Sequence, residues 1–126
     1  MNWSDNVVIA ETLVVESHEA SKRSAISRAY YGALNACRRW LETNVAPISK
    51  HRVHAEVWGT FENGGYAWVQ ADSDRKLIAG LGRRLRALRN RADYEDSFPG
   101  LDHEAVEAVV VARRILTLLA KLEPAD

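Results

Sequence analysis

Cysteine occurs once in these 126 residues, at Cys37, so no disulfide can close within the chain and its stability must come from packing. At this length a single domain buries roughly two thirds of the surface its unfolded chain exposes, which suffices without a covalent or metal staple. An excess of either charge is missing as well. The 17 basic and 17 acidic side chains cancel, which argues against nucleic-acid binding by bulk charge and leaves only a local patch for an anionic partner. No apolar run approaches the roughly 20 residues of a membrane span, and Met1-Asn2-Trp3-Ser4-Asp5 lacks the charged and apolar regions of a signal peptide. No membrane partner is expected, and the cytoplasm is the expected location. The chain has no Gly-rich phosphate loop, no nucleophile elbow and no Glu-x-x-His pair, so nucleotide hydrolases, serine hydrolases and di-iron bundles find no support. Internal repeats, low-complexity tracts and domain linkers are absent too, which predicts one domain over 1–126.

What the chain does have is helical periodicity. Ser4 reads as an N-cap, with Trp3 and Val8 spaced for a hydrophobic staple, and the first helix is expected from Asp5 to Ser17. The second starts near Ser21 or Ser24 and runs to Thr43, because Ile26, Tyr30, Ala33, Cys37 and Trp40 recur at spacings of four and three. Ala29, Gly32, Ala33 and Ala36 are small enough to let another helix approach closely. Cys37 reads as a buried small apolar residue rather than a reactive thiol. Pro47 interrupts, Ser49 can cap a third helix with Val53, Val57 and Phe61 on its apolar face, and Asn63-Gly64-Gly65 ends it. From Gly64 to Ala71 the sequence GGYAWVQA reads as a loop that packs its aromatics inward. Asp72 or Ser73 then caps a fourth helix, whose stripe of Leu77, Leu81, Leu85, Leu88 and Ala92 leaves its arginines on the other faces. After a turn at Phe98-Pro99-Gly100, Asp102 caps a last helix with Val106, Val109, Ile115, Leu116, Leu119 and Leu122 on a broad apolar face. Five helices with short connections predict an all-α, antiparallel up-and-down bundle.

The densest chemistry lies between Arg83 and Asp96, where RRLRALRNRADYED carries arginines at 83, 84, 86, 89 and 91. Such a run is usually a solvated face, yet its density equally suits an anionic partner, and arginine grips phosphate through a planar fork of donors. Asn90 and Tyr94 are four apart and share a helix face. Arg89 and Tyr94 are five apart and diverge by about 140° at about 3.6 residues per turn. Their convergence predicts a helix that loosens near its end, and Glu95-Asp96-Ser97-Phe98-Pro99 is the natural place, since Pro99 disfavours helical geometry in its neighbour. The alternative is that Arg89 pairs with Asp93 one turn on while Tyr94 packs against the second helix.

A second segment, from Ser24 to Arg38, reads SAISRAYYGALNACR. Together with Arg89-Asn90-Arg91-Ala92-Asp93-Tyr94, and with Lys50-His51 and Phe61 between them, it resembles the HEPN family of small all-helical prokaryotic proteins over Ala20 to Leu122. The resemblance implies a HEPN-like bundle, a homodimer through the second and fourth helices, and a place in a toxin–antitoxin or defence module. In HEPN ribonucleases an Arg, a polar residue such as Asn, three further residues and a His form a motif, and two copies meet across a dimer to cut RNA without a metal. By resemblance Arg89 and Asn90 match the first two positions, and Tyr94 stands where the histidine would be. The implied catalytic set is therefore Arg89, Asn90 and Tyr94, with Arg86, Arg91 and Arg28 as candidate ligands for RNA phosphates. A tyrosine of pKa about 10 is a poor general base at neutral pH, although its hydroxyl can donate a hydrogen bond. Two activities are open: an RNA endonuclease without metal or cofactor, or a catalytically silent module that docks a nucleotidyltransferase or holds nucleotide or RNA. The resemblance also implies a minimal nucleotidyltransferase partner that adenylylates a tyrosine near the motif, for which Tyr94 is the candidate.

Other residues read more plainly. Tyr30 and Tyr31 suit packing, each hydroxyl finding one partner at the edge of the core. Arg28 either joins a structural pair or frames the same pocket. His51 and His54 lack a third ligand at a suitable spacing and read as a polar helix face. His18 and His103, beside Glu19 and Glu104, fall at helix boundaries where capping accounts for them.

Overall fold

The computed structural model describes residues 2–63 and 72–122. They form α1 (Ser4–Leu13), α2 (Glu19–Asn44), α3 (Val53–Asn63), α4 (Asp72–Tyr94) and α5 (Leu101–Lys121), with no strand among the described residues. The fold is an all-α bundle, and α2 is its axis: it packs against α1, α4 and α5, while α3 leans on α4 and α2. Among the described residues no helix is long and apolar enough to cross a membrane. The segment 64–71, expected to be a loop with inward aromatics, lies outside the described residues.

The periodic residues build the core as their spacing implies. Ile26, Tyr30, Ala33 and Cys37 of α2 are buried together with Val57 and Phe61 of α3, Leu85, Leu88 and Ala92 of α4, and Ile115 and Leu119 of α5. Burial pushes the Cys37 thiol well above its ordinary range, so it behaves as a small apolar residue. Leu77 and Leu81 are only partly buried, because Ile78 and Ala79 take the core positions of that turn. On α5 the expected Val106 is exposed, and Ala105, Ala108 and Ala112 face inward in its place.

Two glycines permit close helix crossings. A Cβ at Gly32 would lie 2.9 Å from Val7 Cγ2, so α1 sits against α2 where the small residues allow it. A Cβ at Gly82 would run into the Trp58 ring, so that indole fills the α3–α4 interface only because Gly82 leaves room.

Helix ends depart from the sequence reading for local reasons. Asn2, not Ser4, caps α1: its Oδ1 accepts the Ser4 backbone N–H at 3.1 Å, and Val8 stays exposed instead of forming a buried staple. That helix stops at Leu13, short of Ser17, and Lys22 donates to the Val14 carbonyl just beyond it at 3.2 Å. Asp102 lies inside the first turn of α5 rather than at its cap, which is Gly100 at φ 76°, a left-handed conformation that favours glycine. The ends of α3 and α4 are closed by arginines from elsewhere in the chain. Buried Arg75 donates to the carbonyls of Phe61 at 2.5 Å and Glu62 at 2.6 Å. Arg23 of α2 donates to Ala92 at 2.9 Å, Glu95 at 2.6 Å and Asp96 at 3.1 Å, and thereby fixes the end of α4 that carries Tyr94.

Candidate functional site

The five clustered arginines of α4 fall into two groups once their partners are known. Arg83 pairs with Glu62, Arg84 with Glu107 at 2.8 Å, and Arg91 with Glu95 at 3.4 Å while also covering the Phe98 ring at 4.1 Å. These three each face a carboxylate in a solvent-exposed ion pair. Arg91, expected to be a phosphate ligand, is thus already engaged.

Arg86 and Arg89 are the other group. Arg86 is half-buried, its Nε is out of water with no partner, and it makes no hydrogen bond or ion pair with the described residues. Arg89 is only 6 % exposed, its Nε is likewise unsatisfied, and its single carboxylate, Asp93, stands off at 3.8 Å. The guanidinium rests instead on aromatic rings: 5.4 Å from the centre of Tyr30, 5.2 Å from Tyr31 and 5.9 Å from Tyr94. Arg89 is therefore an exception to the expectation that the α4 arginines stay off the buried face. It lies between Leu88 and Ala92 on a turn that meets the Tyr30-Tyr31 pair of α2.

The rings beneath Arg89 lead to a third element. The Tyr30 oxygen accepts a hydrogen bond from Trp58 Nε1 at 3.1 Å and lies 2.6 Å from His54 Nδ1. The indole donates to the Tyr30 oxygen, and the hydroxyl shares a second hydrogen bond with His54 Nδ1 whose direction follows the imidazole tautomer. The imidazole ring stacks on Tyr30 at 5.6 Å and 5°. Burial raises the Tyr30 pKa, an effect partly offset by the Trp58 hydrogen bond and by Arg86 and Arg89, so the hydroxyl keeps its proton. Burial lowers the His54 pKa, with Arg86 and Arg89 adding to the effect, so the ring is neutral at pH 7. Two guanidiniums with few carboxylate partners, beside a neutral imidazole, form a cationic cluster, and its chemical complement is an oxyanion.

The remaining sequence candidates are placed as follows. Tyr94 is 74 % exposed, so it lines the rim of the cluster and does not pack against α2. Asn90 is exposed one turn earlier on the same face. Arg28 is exposed and makes no hydrogen bond or ion pair with the described residues, so the expected structural pair is not formed. The predicted loosening of α4 does not occur. The helix holds through Tyr94, with Glu95 N–H still donating to the Arg91 carbonyl at 3.1 Å, and the length of the Arg89 side chain alone carries its charge to the Tyr94 ring.

His54 is the residue the sequence reading missed, since it is not part of a polar face. Its spacings of three, four and seven to Val57, Trp58 and Phe61, all buried, place it on the inner side of α3, whereas His51 is exposed. Among the described residues no three His, Cys, Asp or Glu side chains come together as a metal site. A surface cleft of about 440 Å³ lies apart from the cluster, lined by Asn2, Trp3, Ser4, Ala36 and Arg39. Comparison of the chain with known proteins finds no matching family model, no matching curated protein and no matching solved structure.

Proposed function

We propose that this chain is a HEPN-type module that grips RNA phosphates between Arg86 and Arg89, and that it serves in the cytoplasm as the HEPN component of a toxin–antitoxin or defence module. The observation that carries this reading is Arg89 itself, a guanidinium nearly out of water with an orphaned Nε and one loose ion pair, to Asp93, as the alternative sequence reading had it. A cation held this way costs free energy that its contacts recover only in part, and its terminal nitrogens are the donors left for an incoming phosphate. The two segments behind the resemblance also meet here, since Tyr30 and Tyr31 lie directly under Arg89. In a ribonuclease built on this cluster, Arg86 and Arg89 stabilise the charge that develops on the phosphorus centre. Proton transfer falls to the groups beside them, the His54 imidazole and the Tyr94 hydroxyl. Association through α2 and α4 into a homodimer belongs to the same reading.

A second reading is favoured by the exposure of Tyr94. As a catalytically silent module, the protein presents that phenol to a partner nucleotidyltransferase, which joins it to AMP from ATP with release of pyrophosphate. Cleavage of RNA by the purified protein and by Arg89→Ala separates the two. Cleavage lost in the variant supports the ribonuclease; equal background in both supports the binding module, and mass spectrometry of the protein co-produced with its partner then looks for added nucleotide on Tyr94. Growth arrest on induction, absent for Arg89→Ala, is the cellular counterpart.

A further inference from the structure

Tyr94 is the exposed aromatic beside a buried cation, and that pairing says what surrounds the phosphate. Large apolar side chains left exposed on the described surface are Val8, Ile9, Val15, Tyr94, Val106 and Val110, and of these only Tyr94 lies on α2 or α4 next to the donor cluster. Its ring centre is 5.9 Å from the Arg89 guanidinium carbon, while most of the residue faces solvent. The Arg23 hydrogen bonds to the carbonyls of Ala92, Glu95 and Asp96 fix the backbone on both sides of it. Asn90 presents an exposed amide one turn earlier on the same face.

We infer that Tyr94 is a stacking platform for a nucleobase, so that the site takes one nucleotide unit of single-stranded RNA, its phosphate on Arg86 and Arg89 and its base on the Tyr94 ring. This rests on the phosphate site proposed above and adds the class of ligand to it. A nucleotide joins its phosphate to its base through one sugar, and the Arg89 guanidinium and the Tyr94 ring centre lie 5.9 Å apart. Aromatic stacking accepts any base through its π face, and the exposed Asn90, one turn before Tyr94, shares its helix face. A duplex keeps its bases stacked on one another and has none to offer, so unpaired strands are the ligands.

The test is calorimetric titration of the full chain with ribose 5-phosphate, AMP, a short single-stranded oligoadenylate and the same strand paired in a duplex. Stacking makes AMP bind about tenfold tighter than ribose 5-phosphate, and the single strand tighter than the duplex. Tyr94→Ala collapses the AMP to ribose 5-phosphate ratio to about one, and Tyr94→Phe preserves it. The position is exposed, so these variants keep the fold. Equal binding of AMP and ribose 5-phosphate, or a ratio insensitive to Tyr94→Ala, overturns the stacking platform while leaving the phosphate site standing. Failure of every phosphate compound to bind overturns both.

Discussion

Replacing Arg89 with methionine separates a residue kept for a ligand from one kept for the fold. Methionine is unbranched and flexible, follows the arginine stem as far as its Nε, leaves the place of the guanidinium over Tyr30 and Tyr31 to the neighbouring side chains or to water, and removes the charge. Against the substitution stand the ring contacts at 5.2 to 5.9 Å, together about 1 to 3 kcal/mol, and the ion pair to Asp93. At 3.8 Å and with Asp93 29 % exposed at its side chain, that pair contributes about 1 kcal/mol or less. In favour stand the relief of an orphaned Nε, about 1 to 3 kcal/mol, and of a desolvated cation, several kcal/mol by itself. Asp93 is left in contact with water and suffers little. The balance predicts that Arg89→Met is neutral or gains up to about 2 kcal/mol, and that it loses phosphate binding. Equilibrium unfolding in guanidinium chloride measures the first, and calorimetry with inorganic phosphate the second. A destabilisation above about 2 kcal/mol would refute the reasoning, because Arg89 would then be a structural residue held by its rings and Asp93.

His54 makes stability depend on pH in a defined direction. Its folded pKa lies below the ordinary value of about 6.5, so the unfolded chain binds the extra proton, and its contribution is complete above that value and lost as pH falls through the window beneath it. The slope of unfolding free energy between pH 5 and 6.5 should be shallower in His54→Gln than in the native protein, and identical slopes contradict the assignment. Tyr30→Phe strips the acceptor from Trp58, which is buried at the α3–α4 interface, and should cost about 1 to 3 kcal/mol while freeing the His54 tautomer, visible in the ¹⁵N shifts of the ring. Gly82→Ala should cost at least about 1 to 3 kcal/mol by thermal unfolding, since its Cβ meets the Trp58 indole; an unchanged midpoint would show that α3 and α4 can move apart.

Helical periodicity made the bundle legible because its signal sums over many residues. The run Ile26, Tyr30, Ala33 and Cys37 states the buried face of α2 four times over, and Gly32 announces the close approach of α1. The helix ends were less legible, since Arg23 closes α4 across more than 60 positions of chain and no local pattern records such a bond. The same limit governed the site. The five clustered arginines of α4 look alike as letters, and what distinguishes Arg86 and Arg89 from Arg83 and Arg84 is which carboxylates of other elements reach the latter two: Glu62 for Arg83 and Glu107 for Arg84. His54 was concealed differently. Its spacing to Val57 and Phe61 marked the inner face of α3, but its polar character suggested solvent, and only the Tyr30 hydroxyl accounts for an imidazole placed there.

The most direct test is a titration of the isotopically labelled protein with inorganic phosphate, following arginine guanidinium and His54 ring resonances by NMR at pH 6.5. A phosphate held between Arg86 and Arg89 shifts those two side chains and His54 saturably and moves the His54 titration to higher pH, while Arg83, Arg84 and Arg91 hold their positions against Glu62, Glu107 and Glu95. Small unsaturable shifts spread over all five arginines, with the His54 titration unmoved, would mean that the cluster is a charged face without a ligand site.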